Sequence, residues 1–268
     1  MDSKQSKNVT IEIRDAVAVI WLDKSNSEQN IMSFDLLSDF EKTFVALEND
    51  DSIEGIVLIS KKKDFIAGFD IHSFKAEKKG DFIPVFQEGH QFLQYIEDFP
   101  KPIVSAVHGV CYGLGLEITL ACQGRIASDD RRTKFGLPEV KLGILPAGGG
   151  TQRLPKLIGA SGALDMMLTG KDTYAKKALK IGLVDEVVNQ NKLLNAACSM
   201  AEKLKNNSAK KIRKQSLMNR FLNHTFIGNK LVFNQARKTI NKMTKGHYPA
   251  PLAIIDCVEV GLKKGIQV

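Results

Sequence analysis

The pattern of apolar and polar positions in the first half of the chain predicts a series of β-strands. Residues 9–13 alternate apolar and polar side chains, and residues 16–22 form a nearly continuous apolar run, with Arg14 and Asp15 between them. This pattern is typical of a hairpin whose first strand is half-buried and whose second strand is fully buried. Short apolar runs predict further buried strands at residues 53–60, 103–107 and 125–127.

Helices are predicted between these strands. Ser33 can cap the first helix, and the apolar face of that helix is predicted to carry Phe34, Leu37, Phe44 and Leu47. A second helix is expected at residues 82–96 and a third at 116–121. Because strand–crossover–strand units follow one another, the sheet should be mainly parallel with right-handed crossovers.

The chain after Gly150 is predicted to be mostly helical. Glycines separate three short helices from one another, and a last strand is expected at residues 183–188. From Lys192 onward the whole pattern is helical, including the stretch SAKKIRKQSLMNRFL. The three short helices are expected at residues 151–158, 161–169 and 173–181.

Two glutamates are the candidate chemical groups. Glu117 lies on an otherwise apolar helix, where a carboxylate is costly unless it is paired or used, although the helix dipole would also favour a glutamate in the first turn. Glu139 lies in the loop GLPEVKLG, where it could instead be an exposed residue paired with Lys141. Two neighbouring carboxyl groups can hold a water molecule, one accepting a proton and the other donating one.

Glycine-rich turns offer backbone N–H groups that could stabilise a developing oxyanion. The turns at Gly68 and Gly113 both follow predicted strands, where ligands bind in parallel sheets. The AGGG stretch at 147–150 is not followed by Lys-Ser/Thr, so it is not a nucleotide P-loop, and no GxGxxG motif indicates a dinucleotide site. His108 is expected to be a packed residue at a strand end rather than a base.

Composition limits the alternatives. The 268 residues carry a net charge of +8, which favours anionic partners, either a phosphate-bearing substrate or, as the rival hypothesis, RNA bound by a docking module with a vestigial pocket. Basic stretches without interleaved aromatic residues argue against RNA. No apolar run is long enough to span a membrane, and no targeting signal is evident. The four cysteines have no metal-ligand spacing and are expected to be reduced core residues. These features together predict a cytoplasmic protein.

Three motifs resemble those of the enoyl-CoA hydratase/isomerase (crotonase) family. IAGFD is similar to the family's first oxyanion turn, KPIVSAVHGVCYGLGLEITLAC to its second, and FGLPEVKLGILPAGGGTQRLP to its third motif. The resemblance implies an α/β fold: a crotonase-type spiral core of repeated ββα units at residues 1–190, followed by a helical region at 191–268. It also implies acyl-CoA thioester substrates, with coenzyme A as part of the substrate and no tightly bound cofactor or metal.

The same matching implies roles for particular residues. Glu139 would deliver a proton to the α-carbon, and Glu117 would hold and activate water. The thioester oxygen would be held by the backbone N–H groups of Phe69 and Leu114, and the backbone of Ala147 would contact the water. The segment implied to bind coenzyme A consists of Ala67, Gly68, Asp70 and Ile71, with Lys61, Lys62, Lys63 and Lys75 as candidates for phosphate contacts.

Three positions depart from the family pattern. Leu114 stands where glycine is usual, Phe69 where alanine is frequent, and Ala147 where hydratases have glycine. Each contribution comes from the backbone, so the chemistry is retained if the turns keep their conformation. The bulk of Leu114 and Phe69 is expected to narrow the acyl pocket.

The C-terminal stretch FNQARKTINKMTKGHYPAPLAIIDCVEVGL resembles the linker of multifunctional fatty-acid oxidation proteins. In those proteins it leads into a 3-hydroxyacyl-CoA dehydrogenase half, so the sequence is expected to be the N-terminal part of a longer enzyme. A homo-oligomer and a thiolase partner are further expectations. The predicted activity is hydration of trans-2-enoyl-CoA in β-oxidation with accompanying Δ3-Δ2-enoyl-CoA isomerase activity; the alternative enzyme hypothesis is another crotonase-family acyl-CoA reaction.

Overall fold

A mostly parallel sheet forms the centre of the molecule. The computed structural model describes residues 7–73, 78, 80–206 and 226–265. An antiparallel hairpin of β1 (Val9–Arg14) and β2 (Val17–Leu22) opens the sheet. The strands that follow it in the sheet are each parallel to their neighbour, as the sequence predicts, and are β3 (Gly55–Ser60), β4 (Ile103–Val107), β6 (Gly124–Ser128) and β9 (Glu186–Val188).

A second, three-stranded sheet is built from very short strands that the sequence analysis missed. In it β5 (Val110–Tyr112) runs parallel to β7 (Lys134–Gly136), which pairs antiparallel with β8 (Thr173–Tyr174). Residues 173 and 174 were therefore wrongly assigned to a helix. Strand β5 follows β4 directly and leads into a helix. These two strands and that helix therefore form one ββα unit.

Helices cover both faces of the large sheet. On one face lie α1 (Phe34–Glu48), α2 (Ile83–Glu97) and α3 (Leu114–Ala121), which enclose the main hydrophobic core. On the other face α7 (Leu193–Asn206) packs over β3, β4 and β6 and closes a second, smaller core. Helix α1 begins as predicted, with the Ser33 side chain accepting the Leu36 N–H.

The remaining helices lie in the second half of the chain. They are α4 (Gly150–Ile158), α5 (Ala160–Thr169), α6 (Ala175–Ile181), α8 (Phe226–Thr244) and α9 (Pro249–Lys264). Helix α9 contacts α4, α5 and α8, and Phe233, Ile254 and Val258 join the main core. The division at residue 190 stays a prediction, and the helix predicted for SAKKIRKQSLMNRFL lies outside the described residues.

Several predicted burial positions were wrong. Ile11 and Ile13 are 45% and 53% exposed on the edge strand β1, where Val9 alone of the three apolar residues is buried. In α1 Phe44 and Leu47 are buried as predicted, and Leu36 and Phe40 complete the buried stripe. Leu37 is half-buried, while Phe34 is 43% exposed and packs edge-on against the Phe69 ring. The spacing of four, four and three residues in the buried stripe matches one helix face.

The third helix begins at Leu114, two residues earlier than predicted. All four cysteines are free, but only Cys111 and Cys122 are buried, whereas Cys198 and Cys257 are partly exposed. Among the helices in the described part of the chain, none has the length and apolar character needed to cross a membrane.

Candidate active site

The first glycine turn is held by backbone hydrogen bonds to the segment before α1. Ala67 N–H donates to the Asn30 carbonyl at 2.9 Å, and Met32 N–H donates to the Gly68 carbonyl at 2.9 Å. Asp70 N–H returns a bond to the Met32 carbonyl at 2.8 Å, which brackets Phe69. Gly68 has a φ of +125°, a conformation that a side chain would strain.

The second glycine turn lies against the first. A Cβ on Gly113 would lie 3.7 Å from Gly68 Cα, and a Cβ on Gly115 would lie 2.6 Å from the Ile66 side chain. These glycines therefore allow α3 to start next to the Gly68 turn. Leu114 is the first residue of α3, so its N–H has no carbonyl acceptor within the helix. The predicted oxyanion positions thus stand on adjacent turns.

Glu117 is buried in the first turn of α3, with 2% of its surface exposed. The Gly150 N–H donates to Glu117 Oε1 at 2.7 Å, and the Gly148 backbone also hydrogen-bonds to the carboxylate. A Cβ on Gly148 would lie 2.6 Å from Glu117 Oε2, so only glycine allows this approach without rearrangement. The dipole of α3, the helix that carries Glu117, does not explain these contacts, because the donors come from the start of α4.

Glu139 lies in a short 3₁₀ helix, Pro138–Leu142, instead of the predicted loop. Its Oε1 would lie 3.2 Å from a Cβ on Gly113, which brings Glu139 to the second glycine turn. Its Oε2 is buried without a hydrogen-bond partner among the described residues. Among the described residues no ion pair joins Glu139 to Lys141, and Glu139 Oε2 is buried, so the alternative of an exposed ion pair is not supported.

Burial shapes the ionisation of both carboxyl groups. Desolvation raises the pKa of Glu117, while hydrogen bonds from Gly150 and Gly148 and the charge of Arg153 oppose the rise. Desolvation also raises the pKa of Glu139, and the nearby charge of Glu117 raises it further. Glu117 accepts backbone hydrogen bonds from Gly150 and Gly148, whereas Glu139 has only one from its own backbone, and its Oε2 has no partner among the described residues. The pair is therefore suited to hold one proton, on Glu139.

Other predicted residues surround this centre. Ala147 begins the glycine loop, and its carbonyl forms a short hydrogen bond with His90 Nε2 of α2. Ile71 is exposed beyond the Gly68 turn. His108 is 8% exposed with Nε2 against the Lys62 carbonyl, as expected of a packed strand-end residue. No group of three potential metal ligands occurs among the described residues.

The candidate phosphate-binding lysines are near the end of β3. Lys61, Lys62 and Lys63 line a groove of about 640 Å³ between the sheet and the start of α7. Lys62 is already engaged, since its Nζ lies 2.9 Å from Asp23 Oδ1 and donates to the Ser27 carbonyl at 2.7 Å. Lys75 lies outside the described residues.

Sequence reasoning missed residues that support the two glutamates from a distance. Arg153, from the TQRLP stretch, is buried behind the glycine loop. Tyr248, at the start of α9, donates its hydroxyl to the Val140 carbonyl, next to Glu139. Both residues lie in stretches quoted in the sequence analysis. The contacts of Arg153 with Glu97 and of Tyr248 with Val140 could not be predicted, because each joins residues far apart in the chain.

Comparison with known proteins agrees with this geometry. The family model for enoyl-CoA hydratase/isomerase matches residues 12–245. A fatty acid oxidation complex subunit alpha from Shewanella baltica is 46% identical over 255 residues, which cover 94% of this chain and 36% of that protein. The chain thus spans about a third of the length of the curated relatives it matches.

Solved structures show the same fold. An enoyl-CoA hydratase from Bacillus anthracis is 29% identical with a TM-score of 0.68, covering 75% of this chain and 78% of its own. A monofunctional enoyl CoA isomerase from M. smegmatis is 26% identical with a TM-score of 0.61, covering 75% and 86%. These matches confirm the predicted crotonase-type fold and favour an enzyme over an RNA-binding module. The chain belongs to the enoyl-CoA hydratase/isomerase family.

Proposed function

We propose that this chain adds water to trans-2-enoyl-CoA thioesters to give 3-hydroxyacyl-CoA. The observation that carries the proposal is the unequal support of two buried carboxyl groups. Glu117 accepts backbone N–H donors, whereas Glu139 keeps an oxygen without a partner among the described residues. Such a pair combines a base with an acid.

The proposed reaction follows from that inequality. Ionised Glu117 accepts a proton from water while the water oxygen bonds to the β-carbon of the substrate. The π electrons shift toward the thioester oxygen, which the N–H groups of Phe69 and Leu114 would hold. Glu139 then gives its proton to the α-carbon, so the product carries the hydroxyl from water at the β-carbon and one new hydrogen at the α-carbon. Glu117 then holds the proton taken from water, and a net transfer of one proton from Glu117 to Glu139, directly or through solvent, restores the starting state. Ala147, whose carbonyl is held by His90, would orient the water through its backbone.

Coenzyme A would enter as part of the substrate, along the segment Ala67, Gly68, Asp70 and Ile71. Backbone bonds to Asn30 and Met32 fix this segment, and the exposed Ile71 offers an apolar surface to an adenine ring. Phe69 and Phe34 stack edge-on with ring centres 5.4 Å apart. Their bulk, with that of Leu114, would limit the width of the acyl site.

A second activity, isomerisation of 3-enoyl-CoA to 2-enoyl-CoA, is supported by the likeness to an isomerase structure. Proton removal and return at the substrate carbons needs no added water. Glu117→Gln should therefore reduce hydration by about 100-fold or more and isomerisation by less. Equal losses in both assays would contradict the separate use of the two glutamates.

The relatives named fatty acid oxidation complex subunit alpha suggest a larger setting. We infer that this chain corresponds to the hydratase part of a β-oxidation enzyme with a fused 3-hydroxyacyl-CoA dehydrogenase half. A thiolase partner, a homo-oligomeric assembly and a cytoplasmic location belong to the same proposal.

The direct test is hydration of crotonyl-CoA and of a longer 2-enoyl-CoA, followed by loss of the conjugated-thioester absorbance. The proposal predicts turnover of at least one of them and identifies 3-hydroxyacyl-CoA as the product. Absence of turnover, with coenzyme A thioesters still bound, would overturn the hydratase assignment. Salt-sensitive binding of RNA instead of these thioesters would favour the rejected alternative.

A further inference from the structure

Arg153 is a buried cation that the proposed chemistry does not yet use. It is 6% exposed, and its Nε donates to Glu97 Oε2 at 2.8 Å. Its Nη2 donates to Gln94 Oε1 at 3.3 Å, and its Nη1 contacts the Gly148 carbonyl at 3.4 Å. A buried guanidinium is costly even when it is paired, so the position of Arg153 depends on these three partners.

The glycine loop separates Arg153 from Glu117 by a single layer of backbone. A Cβ on Gly149 would overlap Arg153 Nη1, and a Cβ on Gly148 would lie 2.6 Å from Glu117 Oε2. One face of the loop therefore contacts the guanidinium, and the other contacts the carboxylate. With side chains at these positions, the two charges would be forced apart.

Helix α2 anchors this arrangement from one of its faces. His90, Gln94 and Glu97 are spaced by four and three residues, so they point the same way. His90 holds the Ala147 carbonyl, while Gln94 and Glu97 hold Arg153. Helix α2 thus holds the loop that supplies N–H groups to Glu117 at two places, directly at Ala147 and through Arg153 at Gly148.

We propose that Arg153, anchored by Glu97, is a positioning residue for the hydration reaction: by holding Gly148 it keeps the Gly148 and Gly150 N–H groups aimed at Glu117. This inference rests on the proposed function. The charge of Arg153 acts in the same direction as those N–H groups, since it too lowers the pKa of Glu117 against desolvation. Glu139 and His90 are the other titratable side chains around the loop, and Arg153 bonds to neither.

Comparing Arg153→Met with Arg153→Lys distinguishes the effect of the hydrogen bonds of the guanidinium from the effect of its charge. Arg153→Met should lower kcat by about tenfold or more with KM little changed, because small misplacements of a catalytic group are costly. It should also move the acid limb of the kcat/KM profile to higher pH, since Glu117 loses a favourable charge. Arg153→Lys keeps the charge but not the fork, so kcat should fall while the acid limb stays near its wild-type position.

Glu97→Gln and Asp185→Asn complete the test. Glu97→Gln loosens the anchor and should lower kcat with KM unchanged; it decides the question if Arg153→Met does not fold. Asp185→Asn is the matched control, because Asp185 pairs with buried Arg125 at 3.5 Å next to β6 and touches none of the proposed catalytic groups. It should affect thermal stability but neither kcat nor the pH profile.

Three results would overturn the inference. Wild-type kcat and pH limb in the Arg153 variants would remove its role while leaving the hydratase proposal intact. If Asp185→Asn lowered kcat as much as the Arg153 variants at a similar loss of stability, Arg153 would be a structural residue. A wild-type protein as inactive as Glu139→Gln would end both the inference and the proposed function.

Discussion

The N–H of Gly150 donates to Glu117 Oε1 at 2.7 Å, so the start of helix α4 holds a carboxylate that belongs to helix α3. The positive end of the α4 dipole and the second donor at Gly148 favour the ionised form of Glu117. Glu139 lacks comparable donors. This contrast is the basis of the proposed acid and base roles.

The glycine loop should not tolerate a methyl group at residue 148. In Gly148→Ala the new Cβ would meet Glu117 Oε2 at 2.6 Å and Leu114 Cδ1 at 2.9 Å. We expect kcat for hydration to fall by about tenfold or more through displacement of Glu117. Gly89→Ala is the control, because a Cβ there meets nothing within 4 Å and alanine stabilises a helix interior. Equal activity in both variants would contradict the close packing of the loop.

The rate of hydration should depend on pH through both glutamates. The base must be ionised and the acid protonated, so kcat/KM should be bell-shaped. Because burial raises the pKa of both groups, both limbs should lie at higher pH than ~4.3, the ordinary pKa of a glutamate side chain. A profile that is flat from about pH 5 to about pH 9 would contradict this assignment.

Stability should respond to pH in the opposite sense from activity at the acid end. The folded-state pKa of Glu139 is raised, so as pH increases the unfolded chain loses this proton before the folded protein does. The stabilisation is complete below the unfolded pKa and is lost as pH rises through the folded pKa. The free energy of unfolding of Glu139→Gln, relative to wild type and measured with urea, should therefore be higher at about pH 8 than at about pH 5. An unchanged difference would refute the raised pKa.

The C-terminal helices should influence Glu139 through Tyr248. The Tyr248 hydroxyl donates to the Val140 carbonyl, and its ring lies 3.7 Å from where a Gly143 Cβ would be. Tyr248→Phe should lower kcat several-fold, in line with the roughly 1 kcal/mol of one hydrogen bond, without weakening coenzyme A binding. Tyr174→Phe, at a tyrosine that is 51% exposed, should leave kcat unchanged. A matching effect in the two variants would exclude a specific role for Tyr248.

The lysines after β3 are predicted to contact the phosphates of coenzyme A. Replacing Lys61 and Lys63 together by glutamine should raise the Kd of coenzyme A and reduce its salt dependence. Lys62 is left in place because it pairs with Asp23 and Ser27. Lys203→Gln, at an exposed position on α7, provides the control. An unchanged Kd in the double variant would reject these contacts.

Local pattern was enough to predict the centre of the large sheet, because β2, β3 and β4 are apolar runs of five or six residues. The small sheet was missed because strands of two or three residues show no period. The positions of Glu117 and Glu139 could be identified from the motifs. Their unequal surroundings could not, because Arg153 meets Glu97 across 56 residues of chain and Tyr248 meets Val140 across 108.

The most direct test of the account compares Glu139→Gln with Glu202→Gln in crotonyl-CoA hydration. Glu202 is an exposed glutamate on α7, on the opposite face of the sheet, so its replacement makes the same chemical change away from the proposed site. We predict that Glu139→Gln lowers kcat by about 100-fold or more while coenzyme A binding and Glu202→Gln activity stay at the wild-type level. Equal kcat in the two variants would contradict the proposed role of Glu139 as the proton donor.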